Sequence, residues 1–297
     1  MCGIAGLFIK DKALEPQLGA LLAQMTSTLC GRGPDSAGFA IYGAERPGTI
    51  KITVQGTDAT DFAALAADLG RAIGAEVTFA PHWTHAVLFV PREKTEIAES
   101  WIDTRADIAL VSKGARLEIF KEVGYPDDVA AKFGIPAMAG SHGIAHTRMA
   151  TESAVTTDGA HPFSTGADQC LVHNGSLSNH ASLRRELLAD GIRIRTQNDS
   201  EVAAGYISRE LRAGKTLGQA LEHSLGDLDG FFTFVIGTED GFGVLRDPIA
   251  CKPAMMAETD QYVAFASEYK SLTGLPGIKT ARVWEPKPAQ SYFWEHA

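Results

Sequence analysis

The sequence predicts an α+β chain, and three observations carry that prediction. Gly3-Ile4-Ala5-Gly6-Leu7-Phe8-Ile9 is a short unbroken apolar run, the pattern of a strand buried on both faces. Pro16 to Cys30 (PQLGALLAQMTSTLC) instead sets Leu18, Leu21, Leu22, Met25 and Leu29 at helical spacing, an amphipathic helix with one face on a core. The last third returns to strands, at Phe231 to Ile236, Phe242 to Leu245, Tyr262 to Ala266 and Ser291 to Trp294. With 297 residues such a chain can bury a large core.

The remaining elements follow in order. Gly31-Arg32-Gly33-Pro34-Asp35-Ser36-Ala37-Gly38 breaks the first helix with a tight polar turn, and Phe39 to Tyr42 continues as a strand. Asp61 to Ile73 reads as a helix and Ala86 to Val90 as a strand. Ile108 to Ser112 and Leu117 to Phe120 flank Lys113-Gly114-Ala115 as a hairpin would. Gly143 to Thr151 is a strand running into a loop, and Gly159 to Phe163 a turn. Cys170 to Val172 is a strand ending in His173-Asn174-Gly175. A helix from Leu177 follows, with Ser176 or Ser178 as its cap, and Asn198-Asp199-Ser200-Glu201 caps another.

Composition excludes several classes. The chain is 45% apolar and 21% charged, with mean hydropathy near zero, as in soluble globular proteins. No apolar run has the length of a membrane span, and the N-terminus lacks the pattern of a secretory signal, so a cytoplasmic protein is expected. A net charge of −9 argues against nucleic acid or an anionic membrane as a partner. Cys2, Cys30, Cys170 and Cys251 form no CxxC pair and no zinc-like cluster, so no metal is expected. The last three are expected to be small buried hydrophobes.

Cys2 is set apart by position. Loss of Met1 would leave one residue with both a thiol and a free α-amine, whose reference pKa of about 7.7–8.0 suits it to accept the thiol proton. Taken alone, the same residues read more simply as a terminal strand with a cysteine in second place.

Motifs elsewhere change that balance. Met-Cys-Gly-Ile-Ala-Gly, Gly-Arg-Gly-Pro-Asp-Ser, His-Thr-Arg-Met-Ala-Thr, Ala-His-Pro-Phe, Val-His-Asn-Gly and Asn-Asp-Ser-Glu occur in this order, with Arg246-Asp247-Pro248 and Ala266-Ser267-Glu268 behind them. The series resembles the class II glutamine amidotransferases, whose glutaminase parts carry an N-terminal nucleophile. The resemblance implies a four-layer αββα sandwich, the Ntn-hydrolase fold, over residues 2–297, interrupted by an inserted α/β segment at about 57–136. It implies Cys2 as nucleophile on the amide of L-glutamine, and Asn174 and Gly175 as the oxyanion hole. Arg148 would bind the substrate α-carboxylate and Asp199 its α-ammonium. Arg32 would organise the site, Thr151 and His161 its wall, and His146 and His173 would pack or orient rather than act as bases. The residues after Arg246-Asp247-Pro248, Ile249-Ala250-Cys251-Lys252, depart from the Gly-plus-basic pattern of many relatives.

No synthetase, isomerase or phosphoribosyltransferase pattern follows the glutaminase motifs, which leads to the expectation of a separate ammonia-accepting subunit. The arrangement is most similar to the stand-alone glutaminase subunit of glutamate-synthase-like complexes, of the N-methylglutamate synthase type. That likeness implies no cofactor on this chain, with FMN and iron–sulfur chemistry on the partner. Two other readings stay open: a glutamine-binding regulatory subunit with little catalysis, and an Ntn amidase for another amide, against which Arg148 and Asp199 argue. The 57–136 segment is expected to dock the partner through an apolar patch including Trp83, Phe89 or Trp101.

Overall fold

The computed structural model describes residues 2–149 and 155–296. The first half runs β1 (Gly3–Ile9), α1 (Leu18–Ser27), β2 (Ser36–Tyr42), β3 (Thr49–Gln55), α2 (Phe62–Ile73), β4 (Thr78–His82), β5 (His85–Pro91), α3 (Thr95–Asp103), β6 (Ala109–Gly114), β7 (Leu117–Val123) and α4 (Pro126–Phe133). The second runs β8 (His142–Arg148), β9 (Phe163–Gly166), β10 (Gln169–Leu177), α5 (His180–Ala189), α6 (Asp199–Arg212), α7 (Leu217–Asp227) and β11 (Gly230–Gly237). It ends with β12 (Gly241–Arg246), β13 (Met255–Glu258), β14 (Tyr262–Ala266), β15 (Arg282–Trp284) and β16 (Gln290–Glu295).

β1 is the centre of a seven-stranded antiparallel sheet of order β15-β13-β14-β1-β8-β2-β7, and all its residues are buried. Its two faces serve different cores. Ala5, Leu7 and Ile9 pack with α1 and α4 through Leu18, Leu22, Met25 and Phe133. Ile4 and Phe8 face the other way, onto Val172, Val235, Phe242 and Val244 of a five-stranded sheet ordered β16-β12-β11-β10-β9. Gly6 shares that face, where an added Cβ would lie 2.8 Å from the Phe242 ring. The outer face of the second sheet is covered by α5, α6 and α7 through Leu187, Val202, Ile207 and Leu221. Helix, sheet, sheet and helix thus make the expected αββα sandwich.

A third sheet, β4-β5-β3-β6, carries α2 and α3 on one face through Ile52, Val54, Leu65, Leu69, Leu88 and Ile102. Asp61 caps α2 by accepting from the N–H groups of Ala63 and Ala64, and Gly74 ends it in the left-handed conformation at φ 65°. This unit runs from Thr49 to Gly114. β7 and α4, which fall inside the 57–136 stretch, belong to the main sandwich.

Several expectations need correction. β6 and β7 form no hairpin: β6 pairs with β3, and β7 pairs with β2 in the other sheet. The chain crosses between sheets here because Asp168, at the β9–β10 turn, takes the crossover's backbone groups. Its Oδ2 accepts from Ala115 N (2.6 Å), and its Oδ1 from Arg116 N (2.8 Å) and Leu117 N (2.9 Å). The helix expected from Leu177 starts at His180, because β10 stays paired with β11 as far as Leu177. Asn179, not Ser176 or Ser178, takes the capping position, with its side chain bonded to Asp227 O and Asp229 N. Cys30 and Cys170 are buried as expected, but Cys251 is exposed, in the turn beyond Asp247. The three candidate patch aromatics are half-buried, each with a cation over its ring. Trp83 packs on Phe133 under Lys132, Phe89 lies beneath Arg46, and Trp101 beneath Arg105.

Candidate active site

Cys2 sits just ahead of β1, so its position is set by the strand at the middle of the large sheet. Ile4 N donates to Ser267 Oγ (2.9 Å) while Ser267 N donates to Ile4 O (2.9 Å), a reciprocal tie to the end of β14. Arg32, from the turn after α1, donates through Nε to the Cys2 carbonyl (3.0 Å) and pairs through Nη1 with Glu268 (2.7 Å). Bonds from Arg32 and Lys270 hold the Glu268 carboxyl below the usual carboxylate range. The same turn is pressed on the end of β8. A Cβ on Gly33 would fall 2.6 Å from Arg148 N, and Asp35 N donates to Arg148 O (3.1 Å). Arg32 therefore holds the terminus from behind rather than lining the cleft.

The second sheet brings β10 across from Cys2. Asn174 Nδ2 donates to the Cys2 carbonyl at 3.3 Å. Gly175 has φ +152°, and a Cβ there would lie 1.9 Å from Phe231 O. Backbone contact leaves no room for any other residue.

Asp199 opens α6, where the helix dipole favours a carboxylate, and Asn198 caps the helix by accepting from Ser200 N (2.9 Å). Asp199 Oδ2 accepts from Leu177 N at 2.9 Å, and its Oδ1 lies 3.8 Å from His173 Nδ1. Helix α6 is thereby docked on the strand that carries Asn174. The Glu201 carboxylate, buried in the same turn, accepts from Arg195 N (2.8 Å), Thr196 N (2.5 Å) and Thr196 Oγ1 (2.6 Å).

Cys2, Arg148, Asn174, Gly175 and Asp199 all line one cleft of about 910 Å³. Of the residues singled out in the sequence, Thr151 lies outside the described ones. His161 lines the cleft and stacks on His146 at 4.0 Å. His146 Nε2 donates to His173 O (3.2 Å), and His173 Nδ1 meets Ser200 Oγ (3.0 Å). Burial pushes His146 down to about 3 and His173 to about 4, and drives His161 well below its ordinary value. All three are neutral at physiological pH, a state suited to packing and orientation. Beneath them Lys121 donates to Ala160 O (2.9 Å), and burial lowers it to about 8. Among the described residues no group of three or more His, Cys, Asp or Glu is placed to hold a metal.

Sequence reasoning gave no role to Ser267, Glu268, Glu201 or Lys121. The first three stand in quoted motifs, which was the available signal. Lys121 carried none.

Residues 146–274 match the family model of the glutamine amidotransferase domain. Over 298 aligned residues the chain is 59% identical to the glutamine amidotransferase-like protein GlxB of Rhizobium meliloti (strain 1021), covering 100% of this chain and 99% of that one. The chain belongs to the class II glutamine amidotransferases. A putative glutamine amidotransferase of Methanothermobacter thermautotrophicus is 33% identical over 99% of this chain and 100% of its own length. Among solved structures, the glutamine phosphoribosylpyrophosphate amidotransferase from B. subtilis superposes with a TM-score of 0.62 at 19% identity. The match covers 99% of this amidotransferase chain and 47% of that structure, and it shows a shared Ntn-hydrolase fold.

Proposed function

We propose that this chain hydrolyses the side-chain amide of glutamine through Cys2, freed by removal of Met1, and passes the ammonia to a partner synthase subunit. The reading is carried by one observation: the thiol-bearing residue, two oxyanion donors, one cation and one anion for an amino-acid end all face a single cleft.

The chemistry follows from those groups. The α-amine of Cys2 takes the thiol proton as Sγ adds to the amide carbon. Asn174 Nδ2 and Gly175 N–H stabilise the oxyanion, and fixed donors of this kind contribute about 10²–10³ in rate each. The carbon–nitrogen bond then breaks, the α-ammonium protonates the departing nitrogen, and ammonia leaves a thioester. Water, deprotonated by the same amine, attacks that thioester, and collapse of the second tetrahedral adduct releases glutamate and restores the thiol. Arg148 presents a planar fork to the substrate carboxylate, and Asp199 pairs with its ammonium.

We place the acceptor chemistry on another subunit of glutamate-synthase or N-methylglutamate-synthase type, with FMN and iron–sulfur centres on that chain. Support comes from the relatives' proportions. The chain covers 99% of the Rhizobium meliloti relative but 22% of the glutamine–fructose-6-phosphate aminotransferase of Streptococcus pyogenes, so its residues match only a fraction of that larger enzyme.

Intact mass, glutamate release and labelling by a diazo-ketone analogue of glutamine test the chemistry. Active protein is expected to lack Met1, and Cys2→Ala to abolish release and labelling while glutamine still binds. Full activity with Met1 attached would exclude the α-amine as base. The partner reading is tested by the chains that co-purify, and purification from the native source without a synthase subunit would overturn it.

A further inference from the structure

We propose that Asp103, at the end of α3 in the third-sheet unit, is a positioning residue for the glutamine clamp and couples that unit to glutamine affinity. The inference rests on the assignment of Asp199 as the ammonium-binding residue.

Residues 193–199 form a strip leading into α6, and Arg195, Thr196, Asn198 and Asp199 on it all line the glutamine cleft. Two arginines at its start converge on one carboxylate from a distant part of the chain. Arg193 Nη1 bonds Asp103 Oδ2, and Arg195 Nη2 bonds Asp103 Oδ1 at 3.0 Å. Glu99, one turn earlier on α3, stands 3.9 Å from Arg193.

The strip transmits position because its backbone is tied down further along. Buried Glu201 binds the N–H groups of Arg195 and Thr196 and belongs to the same helical turn as Asp199. Arg184 Nη1 holds Thr196 O at 2.6 Å from the other side. A shift of the Arg195 side chain is therefore carried through Glu201 to the first turn of α6. Between α3 and the strip lies a second cavity of about 290 Å³, lined by Glu99, Arg193 and Arg195 among others. The two parts meet here through charge across a cavity rather than through packed apolar side chains, and such a joint can shift. Any ligand or subunit that moves α3 would then change how tightly glutamine is held, without touching the cleft.

The test is Asp103→Asn in the full chain. Calorimetry with glutamine on the Cys2→Ala background reads affinity, and labelling by the diazo-ketone at saturation reads chemistry. The expected result is a dissociation constant raised about three- to fivefold at low salt, the scale of a partly exposed ion-pair network. Labelling rate and melting temperature stay unchanged, and Asp103→Glu restores affinity. Raising salt should weaken glutamine binding to the Asp103 protein more steeply than to the Asn variant, so that the two converge at high salt. Unchanged affinity in Asp103→Asn beside weakened affinity in Asp199→Asn would overturn the coupling and leave the clamp standing. Unchanged affinity in both would overturn the clamp assignment and the coupling together.

Discussion

Replacing Asp168 with Asn should destabilise the sandwich out of proportion to so small a change. The carboxylate is 6% exposed and accepts three backbone N–H groups, two on Oδ1 and one on Oδ2. Asn keeps one oxygen, best used on Arg116 and Leu117, and turns its NH₂ toward the Ala115 N–H. Two bonds then fall from the charged class, about 1.5–3 kcal/mol, to the neutral class, about 0.5–1.5 kcal/mol. That loses roughly 1 kcal/mol each, and a buried N–H left facing a donor costs about 1–3 kcal/mol more. The opposite amide orientation is worse, since it sets a donor against two donors. Backbone strain contributes little, because Asn tolerates the φ of +49° that Asp168 adopts. The sum is about 3–5 kcal/mol, or roughly 5–8 °C in melting temperature for a chain of this size. Urea and thermal unfolding of Asp168→Asn, with Asp168→Ala beside it, measure this. A loss under about 1 kcal/mol in both would show that the crossover from β6 to β7 holds its course without the carboxylate.

Three further expectations are more local. Gly175→Ala should abolish glutamate release, because the new methyl would overlap Phe231 O; a variant that turns over normally would exclude the close approach as described. Arg148→Lys should chiefly raise KM and Asn174→Ala chiefly lower kcat, since the first contact is made in the ground state and the second strengthens as the oxyanion forms. Steady-state kinetics that reversed the split would exchange the two roles. Stability should fall in mild acid. Burial lowers His85, His142 and His146 to about 3 and His173 to about 4, below an unfolded value of about 6.5. The unfolded chain therefore binds the extra protons, so stability is complete above about pH 6.5 and is lost as pH falls toward those values. Each site contributes about 1.4 kcal/mol per pH unit in that range. Denaturation at pH 7.5 and 5.5 should differ by roughly 5 kcal/mol, and a flat profile would mean that the imidazoles are solvated.

The parts of the molecule written in short-range pattern were legible before the structure. Period and caps mark α2 and the start of α6, and the His-Asn-Gly and Asn-Asp-Ser-Glu runs mark the two elements that meet at the cleft. Choice of partner is different, because apolar runs look alike whichever neighbour they join. Leu117 to Phe120 beside Ile108 to Ser112 suggested a hairpin, and only Asp168, some fifty residues on, redirects the crossover. Ser176 and Ser178 had the chemistry of caps, yet continued pairing of β10 to β11 leaves them outside the helix. Glu268 reaches Cys2 through Arg32, and relayed contacts of that kind have no signature in spacing.

The place of β1 in its sheet also governs when the site can come into being. Its neighbours are β8 and β14, and the bond from Ile4 to Ser267 spans 263 residues. Pairings this distant slow folding, because most of the chain must be gathered before they form. During synthesis Cys2 emerges well before β14, the strand that fixes its neighbour β1 on one side. Until β14 docks, the proposed nucleophile has no rigid neighbour on one side, and Arg32 lacks the Glu268 that anchors it. Assembly order would thus hold the proposed glutamine hydrolysis back until β14 has docked, and keep a partly folded chain from releasing ammonia.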